Sequence, residues 1–125
     1  MATKKILVVD DNVDSAESLA LLLSMRGYDT HVAHDGQAAL DAAIRLRPDV
    51  VLLDLALPTL NGLEVCRRVR REPWGRDVTM IALTGWARER DRTESEHAGF
   101  DGHLVKPIDL DGLLRTLHAR HTAPR

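Results

Sequence analysis

The chain predicts a doubly wound α/β sandwich built on a parallel sheet. Five short strand-like segments, four of them apolar runs, alternate with segments whose apolar residues recur at helical spacing, and the connections between them are short. The endings of the runs are a further observation. Residues 6–9 run into Asp10-Asp11, residues 50–53 into Asp54, residues 80–83 into Thr84, and residues 104–105 into Lys106. In an open parallel sheet, ligands bind in the crevice outside the carboxyl ends of the strands, so residues that stop separate strands can share one site. Here they bring together carboxylates, a hydroxyl and an ammonium.

Residues 6–9 read as a buried strand, because a short unbroken apolar run suits a parallel strand covered on both faces. Asp14, with Glu17 three residues on, is the expected N-cap of a first helix, in which Leu19, Leu22 and Leu23 precede Gly27. Residues 30–33 make a short second strand. Asp35 then caps a helix carrying Leu40, Ala43 and Ile44, stopped by Pro48. Residues 50–53 are the most continuous strand. A loop with Pro58 and Asn61-Gly62 follows, and a third helix carries Leu63, Cys66 and Val69 towards Pro73. Residues 78–83 form the fourth strand. Helical signal returns over about residues 87–98 and closes at Gly99 as a left-handed C-cap, yet residues 88–97 hold no strongly apolar side chain. This fourth helix is expected to be among the least stable elements. Residues 103–105 give the fifth strand, and Asp109 caps a fifth helix with the stripe Leu110, Leu113, Leu114, Leu117.

At 125 residues the chain is near the commonest size for a single core. One domain over residues 3–121 with a short tail, 122–125, is expected, with no output domain after it. A formal charge of -2 offers no footprint for nucleic acid or an anionic membrane surface. The single cysteine, Cys66, excludes an internal disulfide framework and fits a reducing, cytoplasmic compartment; it reads as a small core residue. No apolar run approaches the ~20 residues needed to span a bilayer, and residues 1–5 are too short and polar for a signal peptide. The basic run Arg67, Arg68, Arg70, Arg71 reads as a solvated helix face, with partner docking as the minority view. His31 and His34 point to opposite faces of a strand, so the histidines make no metal set.

The acidic pair Asp10-Asp11, Asp54 with Pro58 four residues on, Asn61-Gly62, Thr84-Gly85 and the run GFDGHLVKP over residues 99–107 cover nearly the whole chain. In joint order and spacing they resemble the response-regulator receiver family, the phospho-acceptor half of two-component signalling. The resemblance implies a flavodoxin-like sheet of order 2-1-3-4-5 with five helices. It implies Mg²⁺ held by Asp11 and Asp54, with Asp10 acting largely through water and the backbone carbonyl of Ala56 completing the protein's share. A phosphoryl group would come from a histidine kinase or a histidine phosphotransfer protein. Output would pass to an unknown partner through the face of the fourth helix, fifth strand and fifth helix. The run GFDGHLV is similar to receivers joined to hybrid sensor kinases, which leaves a stand-alone regulator and an excised domain both open.

The residue chemistry supports this independently. Clustered carboxylates repel unless a cation shares the site, and an all-oxygen, half-open set suits Mg²⁺. Asp54, with a reference pKa of ~3.9, is already ionised and needs no base to act as nucleophile. Phosphoryl transfer runs mainly on positioning and charge neutralisation, for which Lys106 is the cation. Thr84 offers a donor hydroxyl, although a β-branched residue also simply suits a strand end. Pro107 permits a cis Lys106-Pro107 bond, which in the family aims the lysine.

Several positions depart from the family's habits. His103 stands where most relatives carry Tyr or Phe as the switch residue, leaving the size and pH dependence of that switch open. Leu57 replaces the frequent Met at similar apolar volume. Ala56 has no polar side chain to guide an attacking water and Trp86 is placed to cover the crevice, so slow hydrolysis of the phosphoryl group is expected. Two other function classes compete. A haloacid-dehalogenase-type phosphatase needs a second Asp two residues after the nucleophile, where this chain has Ala56. A flavodoxin-like nucleotide binder needs a phosphate cradle where this chain has Asp10-Asp11. A receiver that only binds partners is a third alternative, but Asp11, Asp54, Thr84 and Lys106 are all present. Enzymatic activity is expected only in the protein's own phosphorylation and dephosphorylation.

Overall fold

A computed structural model describes residues 4–85 and 98–122. The elements run β1 (Lys5–Val9), α1 (Val13–Ser24), β2 (Asp29–Ala33), α2 (Gly36–Leu46), β3 (Val50–Asp54), α3 (Gly62–Arg71), a 3-10 turn (Pro73–Arg76), β4 (Thr79–Thr84), β5 (Gly102–Val105) and a C-terminal helix (Leu110–Thr122). The fourth helix expected over residues 87–98 lies, up to residue 97, outside the described residues, and Trp86 does too.

All strand pairs are parallel, in the order β2-β1-β3-β4-β5. Strand alternation builds two cores, because successive side chains point to opposite faces. Leu7, Val9, Val51, Leu53, Met80 and Ala82 pack with α2 and α3 through Leu40, Ala43, Val65, Cys66 and Val69. Ile6, Val8, Val50, Leu52, Ile81 and Leu83 pack on the other face with α1 and the C-terminal helix through Ala16, Leu23, Leu113 and Leu117. Every residue of β3 is buried, as its unbroken apolar run requires. The chain leaves β1 towards β2 and returns across it to β3. The carboxyl ends of β1 and β3 therefore flank the point where strand order reverses, the place where doubly wound sheets open a crevice.

Helix α1 begins earlier than the sequence suggested. The cap is Asn12, whose side chain accepts from the Ser15 N–H at 3.0 Å, and Asp14 lies inside the first turn. A carboxylate there still complements the N-terminal end of the helix dipole. Asp35 caps α2 by accepting from the Ala38 N–H at 2.8 Å, and Asn61 caps α3 through the Glu64 N–H at 3.0 Å.

The basic run on α3 also needs correction. Arg67 and Arg68 are exposed and pair with Glu64, as a solvated face should. Arg70 turns inward. Its guanidinium donates to the carbonyls of Gly99 at 2.9 Å, Gly75 at 2.8 Å and Val78 at 2.6 Å, and to Asp101 Oδ2 at 2.8 Å. Asp101 Oδ2 accepts from the Met80 N–H as well, at 2.8 Å. The planar fork of arginine suits this divergent set of acceptors, and it locks α3 to the amino ends of β4 and β5. Gly99 has φ +109, and the space its missing Cβ leaves is taken by the Arg70 side chain.

Candidate functional site

Asp10 is the first residue past β1 and only 4% exposed. Its N–H donates to the Ala33 carbonyl at 3.2 Å, so the parallel pairing with β2 continues just beyond both strands. Its carboxylate accepts from the Asn12 N–H at 3.0 Å and from Lys106 Nζ at 2.8 Å. Asp54 ends β3 and is 7% exposed. One oxygen accepts from the Ala56 N–H at 2.9 Å, closing an Asx-type turn, and the other accepts from Lys106 Nζ at 2.7 Å. Lys106 thus bridges two carboxylates from two different strands.

Register explains why lysine and threonine arrive together. Thr84 pairs with Val105 in the β4–β5 ladder, and the Lys106 N–H donates to the Thr84 carbonyl at 2.7 Å. On the other side Asp54 pairs with Leu83, one residue before Thr84. Thr84 is buried at the end of β4. The peptide between Lys106 and Pro107 is cis.

Asp11 is exposed, yet carboxylate oxygens of Asp10, Asp11 and Asp54 lie within 4.8 Å of one another. An octahedral ion with oxygen ligands at about 2.1 Å sets those oxygens roughly 3–4 Å apart, so this cluster has the span and the hard-donor chemistry to hold Mg²⁺. Ala56 is exposed, and its N–H is committed to Asp54. His103 faces Ala82 across the β4–β5 ladder and is half-buried, away from the carboxylates in register.

The local electrostatics are those of an incompletely neutralised anionic site. Burial works most strongly against ionising Asp10, but the Lys106 hydrogen bond, the Asn12 N–H and the Lys106 charge hold its carboxyl below the usual value. Burial likewise opposes charge on Lys106, and the two carboxylates outweigh it and push the ammonium's pKa up. Among the described residues, three carboxylates against one ammonium leave a surplus of two negative charges.

Two features escaped the sequence reading. An open groove of ≈ 550 Å³ runs from Asp10 and Lys106 between α1 and the segment after β5, lined by Ser18, Leu19, Leu22 and Ile108. His34, read only as a non-ligand, places Nδ1 at 3.1 Å from the Asp10 carbonyl oxygen. The available signal for the second was positional: the residue after β2 must lie beside the residue after β1 when those strands pair in parallel.

Comparisons with known proteins agree with this geometry. A family model described as the response regulator receiver domain matches residues 6–118. Response regulator MprA of Mycobacterium avium (strain 104) is 43% identical over 122 residues, which is 96% of this chain and 53% of that protein. The chain therefore spans about half the length of the curated relatives it matches. Among solved structures, chemotaxis protein CheY4 of Vibrio cholerae aligns with a TM-score of 0.89 at 32% identity, over 94% of this chain and 98% of that one. The receiver domain of sensor histidine kinase PA1611 from Pseudomonas aeruginosa PAO1 aligns at 0.88 and 34% identity, over 98% of this chain and 100% of that one; its structure has a magnesium ion coordinated in the active-site cleft. With the family model spanning most of its length and strand ends that deliver an acidic cluster to one lysine, the chain belongs to the response regulator receiver domain family.

Proposed function

We propose that this receiver accepts a phosphoryl group on Asp54 from the phosphohistidine of a histidine kinase or histidine phosphotransfer protein, and that the modification changes a partner-binding face. The observation that carries the reading is Lys106 Nζ, within 2.8 Å of both Asp10 and Asp54 at the mouth of the crevice. Asp10, Asp11, Asp54 and the Ala56 carbonyl are the groups assigned to hold Mg²⁺. When bound, the ion neutralises charge on the phosphoryl oxygens.

A carboxylate oxygen of Asp54 attacks phosphorus, the bond from phosphorus to the imidazole nitrogen of the donor breaks, and the donor histidine leaves with the bonding pair. An acyl phosphate remains. The Ala56 N–H orients the nucleophile before attack, since it fixes one Asp54 oxygen at 2.9 Å. Lys106 gives up part of its contact with the carboxylates and donates to a phosphoryl oxygen, where negative charge spreads in the loose transition state. The Thr84 hydroxyl then donates to another phosphoryl oxygen. His103 is the assigned relay to the surface of the fourth helix, fifth strand and C-terminal helix. Self-catalysed hydrolysis is slow because Ala56 offers an attacking water no side-chain partner. The site of action is the cytoplasm; among the described residues no helix is long and apolar enough to cross a membrane.

The test is intact-protein mass after incubation with acetyl phosphate, with and without Mg²⁺, on the wild type and Asp54→Asn. A Mg²⁺-dependent adduct, stable in acid and labile in base, is expected in the wild type alone. An adduct that persists in Asp54→Asn overturns the assignment of the nucleophile. No adduct in either protein, with a cognate kinase also failing to label it, favours a receiver that binds partners without phosphorylation.

A further inference from the structure

The carbonyl of Asp10 belongs to the peptide that leads into Asp11, so whatever holds this carbonyl sets the plane from which both carboxylates depart. His34 Nδ1 lies 3.1 Å from it. A carbonyl oxygen only accepts, so Nδ1 carries the proton in this contact. Together with the Asp10 N–H on the Ala33 carbonyl, both polar groups of the Asp10 backbone are tied to consecutive residues at the end of β2.

The next residues of the same turn reach the opposite wall of the site. Asp35 Oδ1 caps α2 and also accepts from the Thr59 hydroxyl at 3.1 Å. The Gly36 N–H donates to the Pro58 carbonyl at 3.0 Å, at an approach so close that a Cβ on Gly36 would overlap the Leu60 carbonyl. Pro58, Thr59 and Leu60 belong to the loop that leaves Asp54 and passes through Ala56. The β2–α2 turn therefore braces the acidic loop after β1 on one side and the nucleophile's loop on the other.

We infer that His34 is a positioning residue for the divalent-cation subsite, acting through its Nδ1–H bond to the Asp10 carbonyl and not by ligation. The inference rests on the metal-dependent phosphorylation proposed above. Partners of ligand-bearing groups set ligand orientation, and losing one typically costs 10–100-fold in metal affinity. His34→Ala should weaken Mg²⁺ binding by about tenfold, towards the low end because the bond is to backbone. The rate of phosphorylation by acetyl phosphate should recover towards the wild-type level once Mg²⁺ is raised to saturation. The two ring nitrogens separate this role from general packing. The amide nitrogen of His34→Asn falls near the place of Nδ1 and should restore affinity, whereas His34→Gln carries its amide to the place of Nε2 and should not.

The experiment is calorimetric titration of the intact chain with MgCl₂ for the wild type and the three variants, with circular dichroism to establish that each is folded. Weak binding in Ala and Gln and near-wild-type binding in Asn supports the assignment. Wild-type affinity in folded His34→Ala, or equal loss in Asn and Gln, overturns it. A wild type that neither binds Mg²⁺ nor takes up a phosphoryl group instead refutes the underlying site reading, and so the two failures are distinguishable.

Discussion

At the amino end of the sheet Arg70 meets a matched set of acceptors, while at the carboxyl end Lys106 faces more acid than one ammonium can neutralise. The Arg70 donors reach three backbone carbonyls and one carboxylate at 2.9 Å or less, so its positive charge lies against the negative charge of Asp101. Lys106 sits between Asp10 and Asp54 with Asp11 beside them, and among the described residues the cluster stays two negative charges in surplus. The same β4 and β5 run between these two centres. The difference separates stability from function: a cation matched to its acceptors fixes where the strands start, and an acidic cluster at their far ends is poised for a divalent cation and a phosphoryl group.

The largest effect should come from breaking the matched end. Arg70→Ala takes the guanidinium from three carbonyls and from the Asp101 carboxylate, which keeps the Met80 N–H, in surroundings where Arg70 and Asp101 are 18% and 19% exposed. Losing this charge-assisted bond and the donors to the carbonyls should cost about 3 kcal/mol, or roughly 10 °C in Tm. Thermal unfolding of the variant checks this, and a shift of only a degree or two would show that the Arg70 centre is not structural.

Lys106→Ala should behave differently. Removing the ammonium leaves three carboxylates in mutual repulsion, with a loss of about 1–2 kcal/mol in metal-free buffer. Millimolar Mg²⁺ should restore much of that loss, because a ligand of the folded state stabilises by mass action. For Arg70→Ala, Mg²⁺ should leave the deficit in place. Unfolding midpoints of both variants with and without Mg²⁺ make the comparison, and equal rescue of both would erase the distinction between the two ends.

The pH dependence sharpens it further. Burial pushes the Cys66 thiol up from 9.0 to about 12, against the neighbouring Arg70 charge. A raised folded value means that its contribution is fully present below pH 9 and is lost as pH climbs towards 12. Lys106, raised from 10.5, likewise contributes below that pH and loses its share as pH rises through its folded value. Asp10, lowered from 3.8, contributes above that pH and loses its share as pH falls through its folded value. Cys66→Ala should therefore flatten the first part of the alkaline limb, by on the order of 1 kcal/mol between pH 9 and 10, and leave the acid limb unchanged. Urea unfolding across pH measures both limbs, and a wild-type alkaline limb in the variant would contradict the buried-thiol contribution.

The sequence and the structure part company in an instructive way. Asp10, Asp54, Thr84 and Lys106 were legible because each ends an apolar run, and parallel pairing carries run ends to one edge of the sheet. A sheet covered on both faces was legible from the unbroken apolar character of those runs. Asn12 was overlooked as the cap of α1 because Asp14 with Glu17 makes the stronger local pattern; the actual cap depends on where β1 releases the chain. Arg70 was hidden among four arginines, since its acceptors at Gly75, Val78, Gly99 and Asp101 are brought to it by tertiary packing. His34 was hidden for a related reason. Its partner is a backbone carbonyl on another strand end, and backbone acceptors leave no residue-type signature.

The most direct measurement is a calorimetric Mg²⁺ titration of the wild type and Asp11→Asn at neutral pH. Asp11 is exposed, so the substitution removes one charge from the surplus without opening the core. A single saturable site per chain in the wild type, lost in folded Asp11→Asn together with Mg²⁺-dependent stabilisation, is the predicted result. No binding by the wild type, or undiminished binding by Asp11→Asn, would contradict the claim that the carboxyl end of this sheet is held open for a divalent ion.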